Sequence, residues 1–236
     1  MEKREFSVEE AARILHIPEK KVVKDAEAGR LTGIKIQGKW CFSKADLVLW
    51  FEANMASGDS DEHLDDMENF AESVPQDENE EPTVSELLER GGIIIPFGAK
   101  TKESVLRDIT QFGADQGKIW DPAGMADALR KREEMMPTAM DNGVALLHPR
   151  RPMTNIIDES FLILGVALRG VPFGGGFGNL TDIFFLIGAK DDKTHLRTLA
   201  RLGKILSQSD FLPALRELET TQEIMDLVKS AEQRIN

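Results

Sequence analysis

The chain has 236 residues, of which 41% are hydrophobic and 30% charged, and its formal net charge is −12. This composition is ordinary for a globular protein with one large domain or two modest ones. Its longest apolar runs, residues 161–168 and 183–189, are too short to span a bilayer, and its first residues contain no apolar signal core. We therefore expect a cytoplasmic protein without membrane insertion, whose single cysteine, Cys41, forms no internal disulfide.

The negative charge is concentrated in one segment. Residues 1–52 carry a net charge of +1, residues 53–83 contain eleven acidic residues and no lysine or arginine, and residues 84–236 carry −2. An acidic segment with few apolar residues cannot bury enough surface to offset the entropy of ordering. The pattern predicts a folded unit over residues 1–52, a flexible acidic linker over 53–83 and a second folded unit over 84–236.

The first unit is predicted to contain helices around a hairpin. Ser7, with Glu10 three residues later, has the capping-box pattern of a helix start. A second helix over residues 19–28 ends at Gly29, and two short apolar runs within residues 34–42 flank a Gln-Gly turn. A last helix follows Ser43 and ends at residue 52. This order is typical of a winged helix-turn-helix, whose second helix enters the major groove of DNA.

Exposed basic residues of this unit are candidates for contacts with DNA phosphates. They are Lys20, Lys21, Lys24, Arg30, Lys35 and Lys39. The sequences FSVEEAARIL at 6–15, GRL at 29–31 and GKWCF at 38–42 resemble the excisionase-like branch of MerR-type DNA-binding domains. The resemblance covers about fifty residues and implies DNA binding, although such domains also serve protein contacts. The near-neutral net charge of this first unit predicts weak DNA binding unless the protein is dimeric.

The second unit alternates helices with apolar strands. Helices are predicted over residues 84–90, 101–114, 122–136, 192–207, 211–218 and 221–233, and strands over residues 93–97, 143–147, 161–168 and 183–189. The last two strands are apolar throughout, which is typical of a sheet covered on both faces. The predicted fold class is therefore α/β, a mixed-sheet α/β/α sandwich preceded by a small winged helix-turn-helix domain.

One segment of this unit combines residues suited to phosphoryl chemistry. It contains Arg132, Thr138, Gly143 and His148, and a second histidine, His195, stands near the start of a predicted helix. Histidine can carry a phosphoryl group near neutral pH, and the planar guanidinium of arginine matches phosphoryl oxygens. Taken singly, each residue has an ordinary explanation, such as a loop histidine, an arginine paired with a neighbouring glutamate or a threonine that caps a turn.

The spaced residues resemble the enzyme IIA domains of the bacterial phosphotransferase system, in the fructose/mannitol branch that includes nitrogen-regulatory members. The matching sequences are RE at 132–133, T at 138, GVA at 143–145, H at 148, DDKTHL at 191–196 and LRELETTQEI at 215–224. The resemblance extends from residue 83 to the C-terminus. It implies an enzyme IIA type-2-like fold and a phosphohistidine carrier.

The resemblance also implies a role for each matching residue. His148 would accept a phosphoryl group on Nε2 from a phosphorylated HPr-type carrier protein, with Nδ1 bonded to a carbonyl. Arg132 and His195 would bind the phosphoryl oxygens, and Thr138 would orient the loop or donate its hydroxyl. The sequence departs from the family pattern next to His148, where the family has a preceding proline and a following glycine. Here Leu147 precedes and Pro149, which has no N–H, follows.

The two resemblances together favour a regulator in which phosphorylation of His148 alters binding to DNA or to a partner protein. One alternative is a sugar-transport component that passes phosphate to an enzyme IIB. Another is a binding module in which the altered surroundings of His148 have abolished transfer. No cofactor is predicted, and no metal site, because no cluster of His, Cys and carboxylate residues has metal-ligand spacing. The phosphoryl acceptor, the regulated protein and the DNA target stay open.

Overall fold

The computed structural model describes residues 5–15, 17–56, 65, 82–174 and 178–235. They belong to two compact units, Met1–Ser73 and Val74–Asn236. Most of the predicted acidic linker, at residues 57–64 and 66–81, lies outside the described residues. No helix in the described part of the chain is long and apolar enough to cross a membrane.

In its described residues, the first unit combines three helices with a small antiparallel sheet. Its elements are β1 (Glu5–Ser7), α1 (Val8–Ile14), α2 (Glu19–Glu27), β2 (Ile34–Ile36), β3 (Lys39–Ser43) and α3 (Lys44–Ala56). β3 is the central strand and pairs with both β1 and β2. The predicted helices and hairpin are therefore present, and β1 extends the hairpin into a three-stranded sheet.

Local signals set most element ends in this unit. Ser7 Oγ accepts the Glu10 N–H at 3.2 Å, and Glu10 Oε2 accepts the Ser7 N–H at 2.9 Å, which completes the predicted capping box. Gln37 and Gly38 have φ values of 50° and 81°, as a tight two-residue hairpin requires. α3 ends at Ala56 rather than at residue 52, because no glycine or proline interrupts the sequence before residue 58.

A buried carboxylate connects α2 to α3. Asp25, which is 4% exposed, accepts hydrogen bonds from Arg30 Nε at 3.0 Å and from Trp50 Nε1 at 3.1 Å, and Lys21 Nζ lies 4.0 Å away. Burial by itself raises the pKa of Asp25. The hydrogen bonds and the neighbouring positive charges outweigh burial, so the pKa of Asp25 lies below its ordinary value.

The second unit contains six helices and four strands in its described residues. They are α4 (Val84–Gly91), β4 (Gly92–Ile94), α5 (Lys102–Asp115), α6 (Pro122–Met135), β5 (Val144–Leu147), β6 (Phe161–Pro172), β7 (Leu180–Gly188), α7 (Asp192–Ser207), α8 (Phe211–Glu217) and α9 (Thr221–Gln233). The strand order is β4-β6-β7-β5, with β4 parallel to β6, β5 parallel to β7, and β6 antiparallel to β7. The predicted mixed sheet is confirmed.

Strand bounds differ from the predictions. β4 ends at Ile94, short of residue 97, and Pro96 has no N–H to continue a ladder. The chain rejoins the sheet at Phe97, whose N–H donates to the Val166 carbonyl at 2.7 Å. β6 and β7 both extend beyond their apolar runs, because their outer ends include exposed residues.

Side chains alternate between the two faces of the sheet along each strand, and each face packs against its own layer of helices. One face of the sheet packs with α5 and α6 in a single core, which contains Ala145, Leu147, Ile163, Phe184 and Leu186 from the strands and Val105, Ile109, Met125 and Leu129 from the helices. On the other face, α4 contacts β6 and α7 contacts β7. α4 lies so close that a Cβ atom on Gly91 would be 2.0 Å from the Leu162 carbonyl oxygen. The predicted helix–sheet–helix sandwich is thus confirmed.

A second buried carboxylate fixes the C-terminal helix to the first helix of this unit. Glu232 on α9 accepts the N–H groups of Val84 at 2.6 Å and Ser85 at 3.0 Å, and the Ser85 hydroxyl at 2.8 Å. Arg201 Nη1 on α7 lies 3.4 Å from the same carboxylate. A negative charge at the start of α4 satisfies backbone donors that would otherwise be unpaired and interacts favourably with the helix dipole.

We expect Asp25→Asn to lower the free energy of unfolding of the first unit by about 1–3 kcal/mol at pH 7, because charge-assisted hydrogen bonds are lost. The folded-state pKa is depressed, so this contribution is present above the unfolded pKa and disappears as pH falls through the folded value. The difference between wild type and variant should therefore shrink below about pH 4.

Urea unfolding followed by tryptophan fluorescence, in a Trp120→Phe background, measures this effect in the first unit. Glu9→Gln, which removes an exposed pair with Arg13 at 3.5 Å, is the control and should change little. If Asp25→Asn lowers the free energy of unfolding equally at pH 3 and pH 7, the assigned role of the Asp25 charge is contradicted.

We expect Glu232→Gln to lower the free energy of unfolding of the second unit by about 2 kcal/mol, because the amide offers weaker acceptors to the start of α4. Thermal unfolding followed by circular dichroism in the full chain measures it. Glu219→Gln, at an exposed position, is the matched control. Equal effects of the two substitutions would show that the buried carboxylate contributes nothing beyond a surface charge.

Candidate functional site

His148 directly follows β5, at the carboxyl end of that strand, and its side chain is 2% exposed. Nδ1 lies 2.8 Å from the Leu146 carbonyl oxygen, and Arg132 Nε lies 3.2 Å from Nε2. Because the N–H of a guanidinium can only donate, Nε2 must be the acceptor, and Nδ1 then carries the proton that is donated to Leu146. The imidazole is therefore neutral, with its lone pair on Nε2.

Arg132 occupies the last turn of α6 and is 2% exposed. Besides the bond to His148, its Nη1 donates to the carbonyl of Met136 at 2.6 Å, at the residue that ends the helix. A guanidinium has five N–H donors in a planar fork. It can therefore hold an anion beside the imidazole while it stays bonded to Met136.

His195 approaches from the other helical layer, in the first turn of α7. Its ring lies edge-on to that of His148, with centroids 4.9 Å apart and planes at 60°. The Asp191 side chain caps the helix by accepting the Thr194 N–H at 2.8 Å, and the His195 N–H donates to the Asp191 carbonyl at 3.1 Å. The backbone amide of His195 is thus used inside the helix, and the imidazole is the group that faces His148.

Thr138 lies between α6 and β5, and its hydroxyl donates to Glu133 rather than to His148. The Thr138 N–H also donates to Glu133 Oε1, at 3.1 Å, and the Leu146 N–H donates to the Thr138 carbonyl at 3.4 Å. Glu133 is buried. Thr138 therefore shapes the segment that leads from Arg132 to His148.

The sequence did not identify Lys102, which completes this arrangement. Lys102 Nζ lies 3.0 Å from Glu133 Oε2 and 4.8 Å from the centroid of the Phe173 ring. A buried carboxylate needs such a partner, because an unpaired charge in the interior is costly. The two residues are 31 positions apart in the sequence, and no spacing rule connects them.

The residues that follow His148 combine a buried proline with two exposed arginines. Pro149 is buried, as is Leu147 on the other side of the histidine, whereas Arg150 and Arg151 are exposed. In the parts of the chain that the structure describes, no group of three His, Cys, Asp or Glu side chains is arranged to hold a metal ion.

The six basic residues predicted to contact DNA all lie on the surface of the first unit. Lys20 and Lys24 are exposed on α2, and Lys39 is exposed where β3 begins. The other three also make contacts within the unit: Lys21 and Arg30 lie beside Asp25, and Lys35 Nζ lies 4.7 Å from the centroid of the Trp40 ring. The basic side chains thus spread from α2 to the hairpin.

Comparison with protein families gives two matches that together span most of the chain. Residues 86–231 match the family of the phosphoenolpyruvate-dependent sugar phosphotransferase system, EIIA 2. Residues 5–55 match a helix-turn-helix domain. The two matches correspond to the two units of the structure.

Three curated relatives match part of the chain. A multiphosphoryl transfer protein of Vibrio cholerae is 30% identical over 112 residues, which are 47% of this chain and 27% of that protein. A mannitol-specific phosphotransferase enzyme IIA component of Geobacillus stearothermophilus is 22% identical over 60% of this chain and 94% of its own length. A nitrogen regulatory protein of Escherichia coli is 25% identical over 56% of this chain and 81% of its own length.

Among solved structures, nitrogen regulatory protein IIA-Ntr from Neisseria meningitidis has a similar fold. The TM-score is 0.55 at 17% identity, and the match covers 61% of this chain and 98% of that one. The family match covers 146 residues, and the Neisseria protein has a similar fold. The chain therefore belongs to the EIIA type-2 family of the phosphoenolpyruvate-dependent sugar phosphotransferase system, with a helix-turn-helix domain at its N-terminal side.

Proposed function

We propose that this protein is a phosphohistidine carrier with a regulatory role, which accepts a phosphoryl group on His148 from a phosphorylated HPr-type protein. The observation that carries the proposal is the state of His148, a buried neutral imidazole whose Nε2 lone pair faces a buried arginine. Family membership supports a phosphocarrier of this type. A donor of this kind is consistent with the cytoplasmic location that the sequence predicts.

The proposed transfer depends on positioning and charge, since phosphoryl transfer asks little covalent chemistry of a protein. The N–P bond of the donor phosphohistidine breaks while a bond to His148 Nε2 forms, and the released electron pair returns to the donor nitrogen. The Nδ1 proton stays on its bond to the Leu146 carbonyl, which fixes the ring and keeps Nε2 as the nucleophile.

Charged and polar neighbours complete the proposed mechanism. Arg132 exchanges its bond to Nε2 for bonds to the phosphoryl oxygens, which match its planar fork. His195 donates to the same oxygens from the first turn of α7, where the positive end of the helix dipole also favours a negative group. Thr138 acts as a positioning residue through Glu133.

The regulatory part of the proposal rests on the first unit. A phosphoryl group brings new negative charge and strong acceptor oxygens to His148, enough to change how a protein binds its partners. We assign DNA binding to the basic residues of α2 and the hairpin, Lys20, Lys21, Lys24, Arg30, Lys35 and Lys39, and propose that phosphorylation alters this binding or that of a regulated protein. A DNA-reading unit has no evident use in a dedicated transport carrier.

Two other candidate functions each have an observation in their favour. The match to a mannitol-specific enzyme IIA component favours a transport component that passes its phosphoryl group to an enzyme IIB. Pro149 favours a transfer-inactive binding module, because the residue beside His148 offers no backbone donor to a phosphoryl oxygen.

Incubation with phosphoenolpyruvate, enzyme I and HPr-type carriers should add one acid-labile phosphoryl group to the wild-type protein and none to His148→Ala, as measured by intact mass before and after acid treatment. His195→Ala is the matched control, and we expect it to be labelled more slowly but to the same final extent. Label on His148→Ala would refute the acceptor assignment. Onward transfer to an enzyme IIB would favour the transport function, and absence of label with every carrier would favour the inactive module.

We expect the full chain to bind duplex DNA with an affinity that falls with rising salt, and Lys20→Glu/Lys24→Glu to weaken binding by about tenfold or more. Phosphorylation should change the affinity of the wild type but leave that of His148→Ala unaffected. Fluorescence anisotropy with labelled genomic fragments measures both effects. Lys131→Glu, at an exposed position in the second unit, is the charge control. Identical affinities before and after phosphorylation would rule out coupling through DNA.

A further inference from the structure

Lys102 begins α5, at a position where its charge is locally unfavourable. Thr101 caps the helix, and Lys102 is the first helical residue. The start of a helix carries the positive end of the helix dipole, so a carboxylate is preferred there and a cation is disfavoured. Departures from such local preferences concentrate at functional sites. The reason for a lysine at this position therefore has to be sought in contacts outside α5.

The charge of Lys102 contacts two other parts of the second unit. Nζ lies 3.0 Å from Glu133 Oε2, at the end of α6, and 4.8 Å from the centroid of the Phe173 ring, directly after β6. The Glu133 side chain is 2% exposed and that of Lys102 is 31% exposed. A cation over the face of an aromatic ring is attracted to it. Lys102 thus brings a positive charge from the surface to a buried carboxylate, and the ring helps to hold that charge in place.

A short series of hydrogen bonds links Glu133 to His148. The Glu133 carboxylate accepts the N–H and the hydroxyl of Thr138, and the Thr138 carbonyl accepts the Leu146 N–H at 3.4 Å. The Leu146 carbonyl oxygen in turn lies 2.8 Å from His148 Nδ1, the nitrogen that carries the ring proton. The position of the Glu133 carboxylate therefore affects the end of β5 that presents the imidazole.

The charge of Glu133 is also next to that of Arg132. The two residues are consecutive in the last turn of α6 and are 3% and 2% exposed. Opposite charges attract strongly in a buried region, because solvent screens them little. A carboxylate here without a cation of its own would draw the guanidinium away from His148 Nε2, which lies 3.2 Å from Arg132 Nε. Lys102 supplies that cation.

We infer that Lys102 is a positioning residue for phosphoryl transfer, which compensates Glu133 and thereby keeps Arg132 directed at His148. The inference rests on the proposed function, since it adds a residue to the same transfer. Lys102 acts through Glu133 rather than on the phosphoryl group. A lysine that only docked the carrier or only stabilised the fold would act independently of the Glu133 charge. Removing both charges together therefore separates the positioning role from the other two.

The test compares the full-length wild type with Lys102→Met, Lys102→Arg and Lys102→Met/Glu133→Gln. The first readout is the single-turnover rate of labelling by a phosphorylated HPr-type carrier at several concentrations, and by phosphoramidate, a small donor without a docking surface. The second is the nitrogen NMR chemical shift of His148 Nε2, which reports on the hydrogen bond from Arg132. Circular dichroism reports on folding. Lys131→Met, which removes the exposed cation of an ion pair on α6, is the matched control.

We expect Lys102→Met to lower the maximal transfer rate and the rate of labelling by phosphoramidate by about tenfold or more, with an unchanged half-saturating carrier concentration. Its Nε2 shift should move towards that of an imidazole nitrogen without a donor. Lys102→Arg should restore most of the rate, because it keeps the charge. Lys102→Met/Glu133→Gln should come within about threefold of the wild-type rate, because the competing carboxylate is gone. Lys131→Met should match the wild type.

Labelling of Lys102→Met at the wild-type rate, an unchanged Nε2 shift, or a change in the half-saturating concentration alone would overturn the inference and leave the proposed function intact. So would a double variant as slow as Lys102→Met, or Lys102→Arg no faster than Lys102→Met. If Lys102→Met does not fold, a double variant slower than the wild type by about tenfold or more overturns the inference. Absence of label on the wild type with both donors would overturn the proposed function, and the inference with it.

Discussion

The hydrogen bonds from Arg132 to His148 and from His148 to Leu146 are the constraint on which the site depends. A neutral imidazole has one donor and one acceptor, and here the donor lies beside the Leu146 carbonyl and the acceptor beside the Arg132 guanidinium. The guanidinium forces the acceptor to be Nε2, and the carbonyl forces the donor to be Nδ1. Burial of the ring therefore costs little, since both nitrogens are paired, and the resting site keeps its nucleophilic lone pair on the side where a cation already lies.

Leu146 and Arg132 are placed beside His148 by the way the second unit folds. Leu146 belongs to β5, which leads into the histidine, and Arg132 stands at the end of α6 in the core layer on one face of the sheet. The segment between them has a fixed path because Glu133 holds Thr138, and Lys102 of α5 compensates the charge of Glu133. α7, from the opposite layer, adds His195. Two helical layers on one sheet thus meet at the carboxyl end of one short strand.

Local features of the structure were predictable from the sequence, and features set by distant contacts were not. Caps and apolar spacing gave the bounds of Asp192–Ser207 and Thr221–Gln233, since those signals lie within a few residues of the helix ends. The strand order β4-β6-β7-β5 and the pairing of Lys102 with Glu133 depend on residues far apart in the sequence. At the site, the resemblance pointed to His148, Arg132 and His195, whose proximity the structure shows. For Thr138 it left two roles open, because the direction of a hydroxyl depends on a partner that spacing does not specify.

The proline after His148 changes where stabilisation of a phosphoryl group must come from. Pro149 itself offers no N–H to a phosphoryl oxygen, and the nearby positive charges lie at two depths. Arg132 is buried, where a charge is little screened by salt and acts strongly over a short distance. Arg150 and Arg151 are exposed, where salt screens a charge more strongly. In the proposed carrier, the buried cation therefore serves the transfer step.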